Sequence, residues 1–169
     1  MNGQTQQITV EINGTVHKLD VPPAETLVET LRDRLGLHSV RTTCGIGVCG
    51  TCTVLLDGKP VSSCLMLTAM AAGRSLVTAE GLAATEDGVS VQEAFVEHQA
   101  FQCSFCIPAM TLSVRALLDE QPDADEEAVR EHLSGNLCRC GTYPQILQAA
   151  GVLLDAVRQA AGTEEGCAG

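Results

Sequence analysis

Apolar and polar residues alternate along residues 8–12 (ITVEI) and again along 15–21 (TVHKLDV), where Leu19 and Val21 suit an inner face. The two runs flank Asn13-Gly14, a pair that readily takes the positive-φ turn matching strand twist, so the opening predicts a β-hairpin. Pro22 and Pro23 break the second strand. Thr26 and Glu29 have capping-box spacing ahead of Leu27, Leu31 and Leu35, spaced by four, and Gly36 supplies the stop, which together predict a helix. In TCTVLLDGKPVSSC (51–64) two short apolar runs surround Asp57-Gly58, and residues 65–78 predict a turn or short helix and a last strand near Leu76 and Val77. The sum is a small mixed sheet crossed by one helix.

Residues 81–90 (GLAATEDGVS) are small and polar and mark a connection between domains. Beyond them the apolar period becomes helical. Val91, Ala94, Phe95 and His98 trace one stripe; Met110, Val114, Leu117 and Leu118 a second; Ala128, Val129 and Leu133 a third; Ile146, Ala150, Leu153, Leu154 and Val157 a fourth. Four such helices predict a bundle. Asp123 and Glu126 suit the start of the third helix and Gly135 its end; Pro144 suits the first turn of the fourth and Gly162 its end. The reading is α+β, with residues 1–80 as one domain and 81–169 as a second whose tail, from 163 onward, is expected to fray. No internal repeat is visible.

Composition adds a difficulty. The first ninety residues contain no aromatic side chain, so the N-terminal core is Val, Leu and Ile alone, thin for its length. Small domains of this kind usually need a staple. The chain has nine cysteines, an odd number, and begins with the polar MNGQTQQ, which is unlike an export signal; disulfides are therefore not expected, metal is, and the cytoplasm is the simplest compartment. A formal net charge of −11 opposes contact with phosphate backbones, and base-stacking platforms are lacking, so nucleic acid is excluded as a partner. No apolar run reaches the roughly 18 residues of a membrane span.

Eight cysteines fall into two sets. Cys44, Cys49, Cys52 and Cys64 are spaced C-x4-C-x2-C-x11-C, and the first three lie in TCGIGVCGTC (43–52), almost without bulky side chains. C-x4-C-x2-C with a later fourth cysteine is the plant-type [2Fe–2S] spacing, whereas zinc favours C-x2-C pairs about 15–20 residues apart. Gly45, Gly47 and Gly50 would let the backbone wrap a cluster closely and aim amides at its sulfurs. An inorganic core then replaces the missing side chains. The second set, Cys103, Cys106, Cys138 and Cys140, is spaced C-x2-C-x31-C-x-C; it falls just before one predicted helix and between two others, and on spacing alone zinc remains open for it.

Together, TCGIGVCGTC, QCSFC and GNLCRCG resemble the small iron–sulfur subunit of the molybdenum hydroxylases, the xanthine oxidase and aldehyde oxidoreductase family, over residues 7–157 with all eight motif cysteines matched. The resemblance implies a plant-ferredoxin-like β-grasp domain followed by a four-helix bundle, each with one [2Fe–2S] cluster. It also implies a large partner subunit holding molybdopterin (Mo), contacted from this chain by Gln102 and Cys140, and a role in passing single electrons onward. Without the motif, Gln102 would read as an ordinary polar residue at a helix start. The sequence departs from the family pattern at Ser104 and Ile107, where Gly and Thr are commoner, and at Gly141-Thr142-Tyr143, where the usual order is Thr-Gly-Tyr. That order resembles the branch including isoquinoline oxidoreductase and leaves the acceptor open between a cytochrome and a flavin subunit.

Two rival readings are a free-standing two-cluster ferredoxin and a zinc-stabilised interaction module. Cys167, outside both sets, reads as a spare thiol. His17, His38, His98 and His132 lack ligand spacing, Arg139 is placed to offset charge or meet a partner, and Glu126–Arg130 reads as a surface pair. No hydrolytic triad, phosphate-binding loop or catalytic carboxylate pair is present, so the chemistry expected of the chain is redox.

Overall fold

The computed structural model describes residues 5–165, with side chains as far as Ala160. β1 (Gln6–Ile12) and β2 (Thr15–Val21) form the hairpin, with Ile12 paired to Thr15 across Asn13-Gly14, both at positive φ. Alternation does what the sequence implies: Ile8, Val10 and Ile12 are buried, as is Val21, while Leu19 is half-buried against the same core. The capping box is present, with the Thr26 amide donating to Glu29 at 2.7 Å, and those bonds hold the Glu29 carboxyl below its usual range. The helix it opens is one α turn, α1 (Leu27–Glu29), that widens into a π turn over Thr30–Arg34 before Gly36.

β3 (Thr53–Leu56), β4 (Lys59–Ser62) and β5 (Ser75–Val77) complete a five-stranded sheet of order β2-β1-β5-β3-β4, in which only β1 and β5 run parallel. A short 3-10 turn, Thr68–Ala71, precedes β5. β3 reads TVLL without alternation because it is covered on both sides. Val54 and Leu56 face the core under α1, and Leu55 meets Leu82, Leu112 and Ala116 from the helical half. That second contact welds the sheet to the helices.

Residues 81–90 are not an extended connection. α2 (Ala79–Ala83) and α3 (Glu86–Glu97) occupy most of them, and Thr85 Oγ1 accepts the Gly88 amide at 3.0 Å as the α3 cap. Gly88 is small because of packing rather than flexibility: a Cβ there would lie 1.7 Å from the Leu82 carbonyl oxygen. α4 (Ile107–Glu120), α5 (Glu126–His132) and α6 (Tyr143–Glu165) follow. Phe95, Met110, Val114, Leu117, Ile146 and Leu154 bury together as the core of this half.

Two helix limits differ from expectation. Asp125, not Asp123, caps α5, accepting the Ala128 amide at 2.9 Å from an extended backbone, while Glu126 already belongs to the first turn. α6 passes through Gly162 to Glu165; an interior glycine costs only about 1 kcal/mol, and no proline follows to enforce a stop. Cys167 lies outside the described residues. Among the described residues no helix is long and apolar enough to cross a membrane.

Candidate iron–sulfur sites

The first cysteine loop leaves α1 through residues 36–42 and enters β3. Gly45, Gly47 and Gly50 all have positive φ, which turns consecutive amides inward. The Ile46 amide lies 3.5 Å from Cys44 Sγ, and with the Cys49 and Val48 amides it pulls the Cys44 thiol down to about 6. Cys49 also contacts this sulfur, while Cys49 itself has Thr51 Oγ1 at 3.3 Å. Cys64, carried just past β4, is pushed up to about 11 by burial and by its contact with Cys52. The four sulfurs thus stand in two adjoining pairs, Cys44 with Cys49 and Cys52 with Cys64.

The second set is assembled from two loops far apart in sequence. Cys103 and Cys106 lie at the start of α4, where Cys106 is the N-cap, and Cys138 and Cys140 lie between α5 and α6. Cys103 contacts Cys140, and Cys106 contacts Cys138. The Phe105 amide, followed by Cys140, lowers the Cys103 thiol. Burial and the Cys138 neighbour push Cys106 up to about 12. At Cys138 burial opposes ionisation, but the Thr142 hydroxyl at 3.1 Å, the Thr142 amide, Cys106 and the Cys140 amide outweigh it and bring the thiol to about 7.

Again the donors are two and two. Two pairs of thiols beside each other suit a centre with two irons, each taking two thiolates. All eight thiols are unbridged. Cys49, Cys52, Cys64 and Cys106 are buried, Cys44, Cys138 and Cys140 partly so, and Cys103 is exposed. A cavity of about 390 Å³ lies between the sets, lined by Cys49, Thr51, Cys103, Phe105, Cys138 and Tyr143.

Gln102 reaches the Cys140 carbonyl with its Nε2 at 3.5 Å, so the sequence-selected pair is adjacent, with Gln102 exposed and Cys140 partly buried, near the exposed Phe101 and Phe105. Arg139 is exposed. His132 bonds the Ser113 carbonyl between α5 and α4 at 3.0 Å. Ser104 adopts φ +60°, a left-handed conformation that costs a non-glycine residue about 1–2 kcal/mol. Arg41 offsets this strain by donating to the Ser104 and Phe105 carbonyls at 3.1 and 2.8 Å and lying over the Phe105 ring.

Other contacts have no counterpart among the sequence expectations. Tyr143 Oη accepts the Cys138 amide at 2.8 Å and donates to the Asn136 carbonyl at 3.1 Å, so the unusual Gly141-Thr142-Tyr143 order places two successive side chains on Cys138. The only sequence signal for Thr51 and Asn136 is that each lies within a few positions of a cysteine, whereas Thr142 and Tyr143 stand out in the sequence by their order but not by these contacts.

A sheet and a helical half, each presenting four paired thiols, define a protein built for two [2Fe–2S] centres. Residues 10–80 match the family described as "2Fe-2S iron-sulfur cluster binding domain", and residues 78–151 match "[2Fe-2S] binding domain". One of the subunits of nicotinate dehydrogenase from Pseudomonas putida is 41% identical, covering 92% of this chain and 95% of that protein. The nicotine 6-hydroxylase small subunit of Paenarthrobacter nicotinovorans is 44% identical over 90% of each. Quinoline 2-oxidoreductase from Pseudomonas putida 86 has a chain of TM-score 0.84 and 40% identity, with 92% of this chain and 98% of that one superposed. The chain belongs to the family of small iron–sulfur subunits of molybdenum hydroxylases of the xanthine oxidase type, and is the electron-transfer subunit of a multi-subunit oxidoreductase.

Proposed function

We propose that Cys44, Cys49, Cys52 and Cys64 hold one [2Fe–2S] cluster, that Cys103, Cys106, Cys138 and Cys140 hold the second, and that this chain links a molybdopterin-bearing partner to an external electron acceptor. The observation carrying the reading is that all eight thiols are unbridged and fall, four and four, within the two stretches that match [2Fe–2S] binding families. Each cluster, when bound, supplies a centre that takes up and gives back one electron. Burial of Cys49, Cys52 and Cys64 limits water at the first set, where the Ile46, Val48 and Cys49 amides also offset negative charge; the second set is more open, with Cys106 buried and Cys103 exposed. Gln102 and Cys140, adjacent to each other, are the residues that meet the pterin, and Phe101 and Phe105 pack against the subunit that carries it.

In this reading residues 1–80 and 81–169 are the two domains, and α3–α6 are the four helices of a bundle around the second cluster. Electrons leave at the first loop, where Ile46, Val48 and Leu65 are 67%, 59% and 62% exposed and offer an apolar rim to a cytochrome or a flavin subunit. A reducing compartment, the cytoplasm, suits eight unbridged thiols. Metal analysis with paramagnetic resonance of the reduced chain tests the assignment: two distinct one-electron signals, iron and no zinc are expected. Zinc in place of iron, or a single signal at full iron loading, refutes it.

A further inference from the structure

The two cysteine loops meet directly. The Leu137 amide donates to the Cys49 carbonyl at 2.9 Å, so one hydrogen bond separates Cys49 of the first set from the residue beside Cys138 of the second. A bond at the seam between two halves of a chain holds its geometry only if its surroundings are fixed. The neighbouring residue supplies that fixation. Asn136 is 6% exposed, and its carboxamide spans three elements. Nδ2 donates to the Gly50 carbonyl at 3.1 Å and lies 3.3 Å from Thr53 Oγ1 at the start of β3, while Oδ1 accepts from Ser113 Oγ on α4 at 3.0 Å.

The backbone of Asn136 is held as well, its amide donating to Leu133 and its carbonyl accepting from Tyr143. Gly50 on the facing loop admits nothing larger: a Cβ there would stand 2.2 Å from the Gly135 carbonyl oxygen and 2.8 Å from Asn136 Nδ2. The carboxamide therefore has one set of partners and no alternative arrangement. Arg41 makes a second, more exposed strap to the Cys103–Cys106 loop. Of these two straps, Asn136 is the one beside the Cys49–Leu137 bond, where Tyr143 also holds the Asn136 carbonyl and the Cys138 amide on either side of Leu137.

We propose that Asn136 is a positioning residue whose carboxamide fixes one cysteine loop against the other, keeping the Cys49 carbonyl in hydrogen-bond contact with the Leu137 amide and so setting the separation and orientation of the two centres. The inference rests on the assignment of the eight cysteines to two clusters. Its demand on the chain is specific: losing the carboxamide frees the relative placement of the loops without removing any thiol. The Gly50 carbonyl keeps the Thr53 amide and hydroxyl as donors, so an apolar replacement at residue 136 does not orphan it.

The test uses Asn136→Leu in the full chain within its assembled complex. The readouts are iron content, the mutual spin–spin splitting of the two reduced centres, and hydrogen exchange of a peptide containing Leu137. With iron and both signals retained, the expected result is loss or broadening of the splitting and faster exchange at Leu137. Unchanged splitting and unchanged exchange would overturn the proposal. If Asn136→Leu fails to retain iron, Ser113→Ala decides: it removes only the anchor of Oδ1, and a broadened splitting with faster Leu137 exchange supports the proposal, whereas wild-type behaviour sinks it. Exchange at Leu137 requires no cluster, so that arm judges the positioning role even if wild-type protein lacks two iron signals, an outcome that would instead refute the ligand assignment.

Discussion

The two thiol sets reach similar arrangements by opposite routes. Three donors of the first set come from one ten-residue loop, and the fourth is delivered by the adjacent β3–β4 hairpin, so the donors are close before the rest of the chain is placed. The second set draws its halves from opposite ends of α4 and α5, and Cys106 meets Cys138 only once these helices and α6 have packed. The first site has a thin aliphatic core and a locally prepared loop; the second has Phe95, Met110 and Ile146 behind it and no local preparation at all. Metal stabilises whatever conformation gathers its ligands. At the first site that conformation is chiefly a loop, and at the second it is a tertiary structure.

This contrast can be broken most directly from the core. Met110 is fully buried in the helical half, and Met110→Ala should cost about 2–5 kcal/mol. During denaturant titration followed by paramagnetic resonance, the second centre's signal should then disappear at a concentration where the first survives; simultaneous loss would erase the distinction. A milder probe is Tyr143→Phe, which removes the phenol bridging Cys138 and Asn136 at a cost of about 1 kcal/mol. Redox titration should show a shifted potential for the second centre and an unmoved first.

The smallest effect concerns the approach to the first loop. Glu80 is desolvated, which alone would raise its pKa. The Ser39 hydroxyl, the Thr78 hydroxyl and the Ser39 amide prevail and hold it below the ordinary glutamate range. Because its folded pKa is depressed, its contribution is present above the ordinary glutamate pKa and fades as pH falls through the depressed value. Glu80→Gln should therefore lower the melting temperature slightly at neutral pH, with the gap closing in acid; a gap that is constant with pH would remove Glu80 from this role.

Much of the frame was legible because its signals are local. Asn13-Gly14 sits in its hairpin, Thr26 and Glu29 in their capping box, and the four apolar stripes on buried helix faces. Where local composition misled, packing had decided. Residues 81–90 look like a linker because Ala and Gly are small, yet Gly88 is small so that its backbone can lie against Leu82. Asp123 and Asp125 are equivalent as letters, and only the turn before α5 selects between them. The π turn at Thr30–Arg34 left no mark in a repeat of four. Spacing suggests a partition of the eight cysteines into two sets. The contacts joining the sets were not legible, because Asn136 meets Gly50 and Arg41 meets Phe105 across separations of 86 and 64 residues, over which sequence carries no periodic signal.

The crowding around Gly50 reaches into how such chains can be recombined. A cut near residue 80 looks like a clean place to graft the sheet of one relative onto the helices of another, but it leaves Gly50 on one parent and Gly135-Asn136 on the other. A chimera inherits a working seam only when both parents present the same bare backbone and the same amide opposite it, so the two halves travel as a matched pair rather than as interchangeable cassettes.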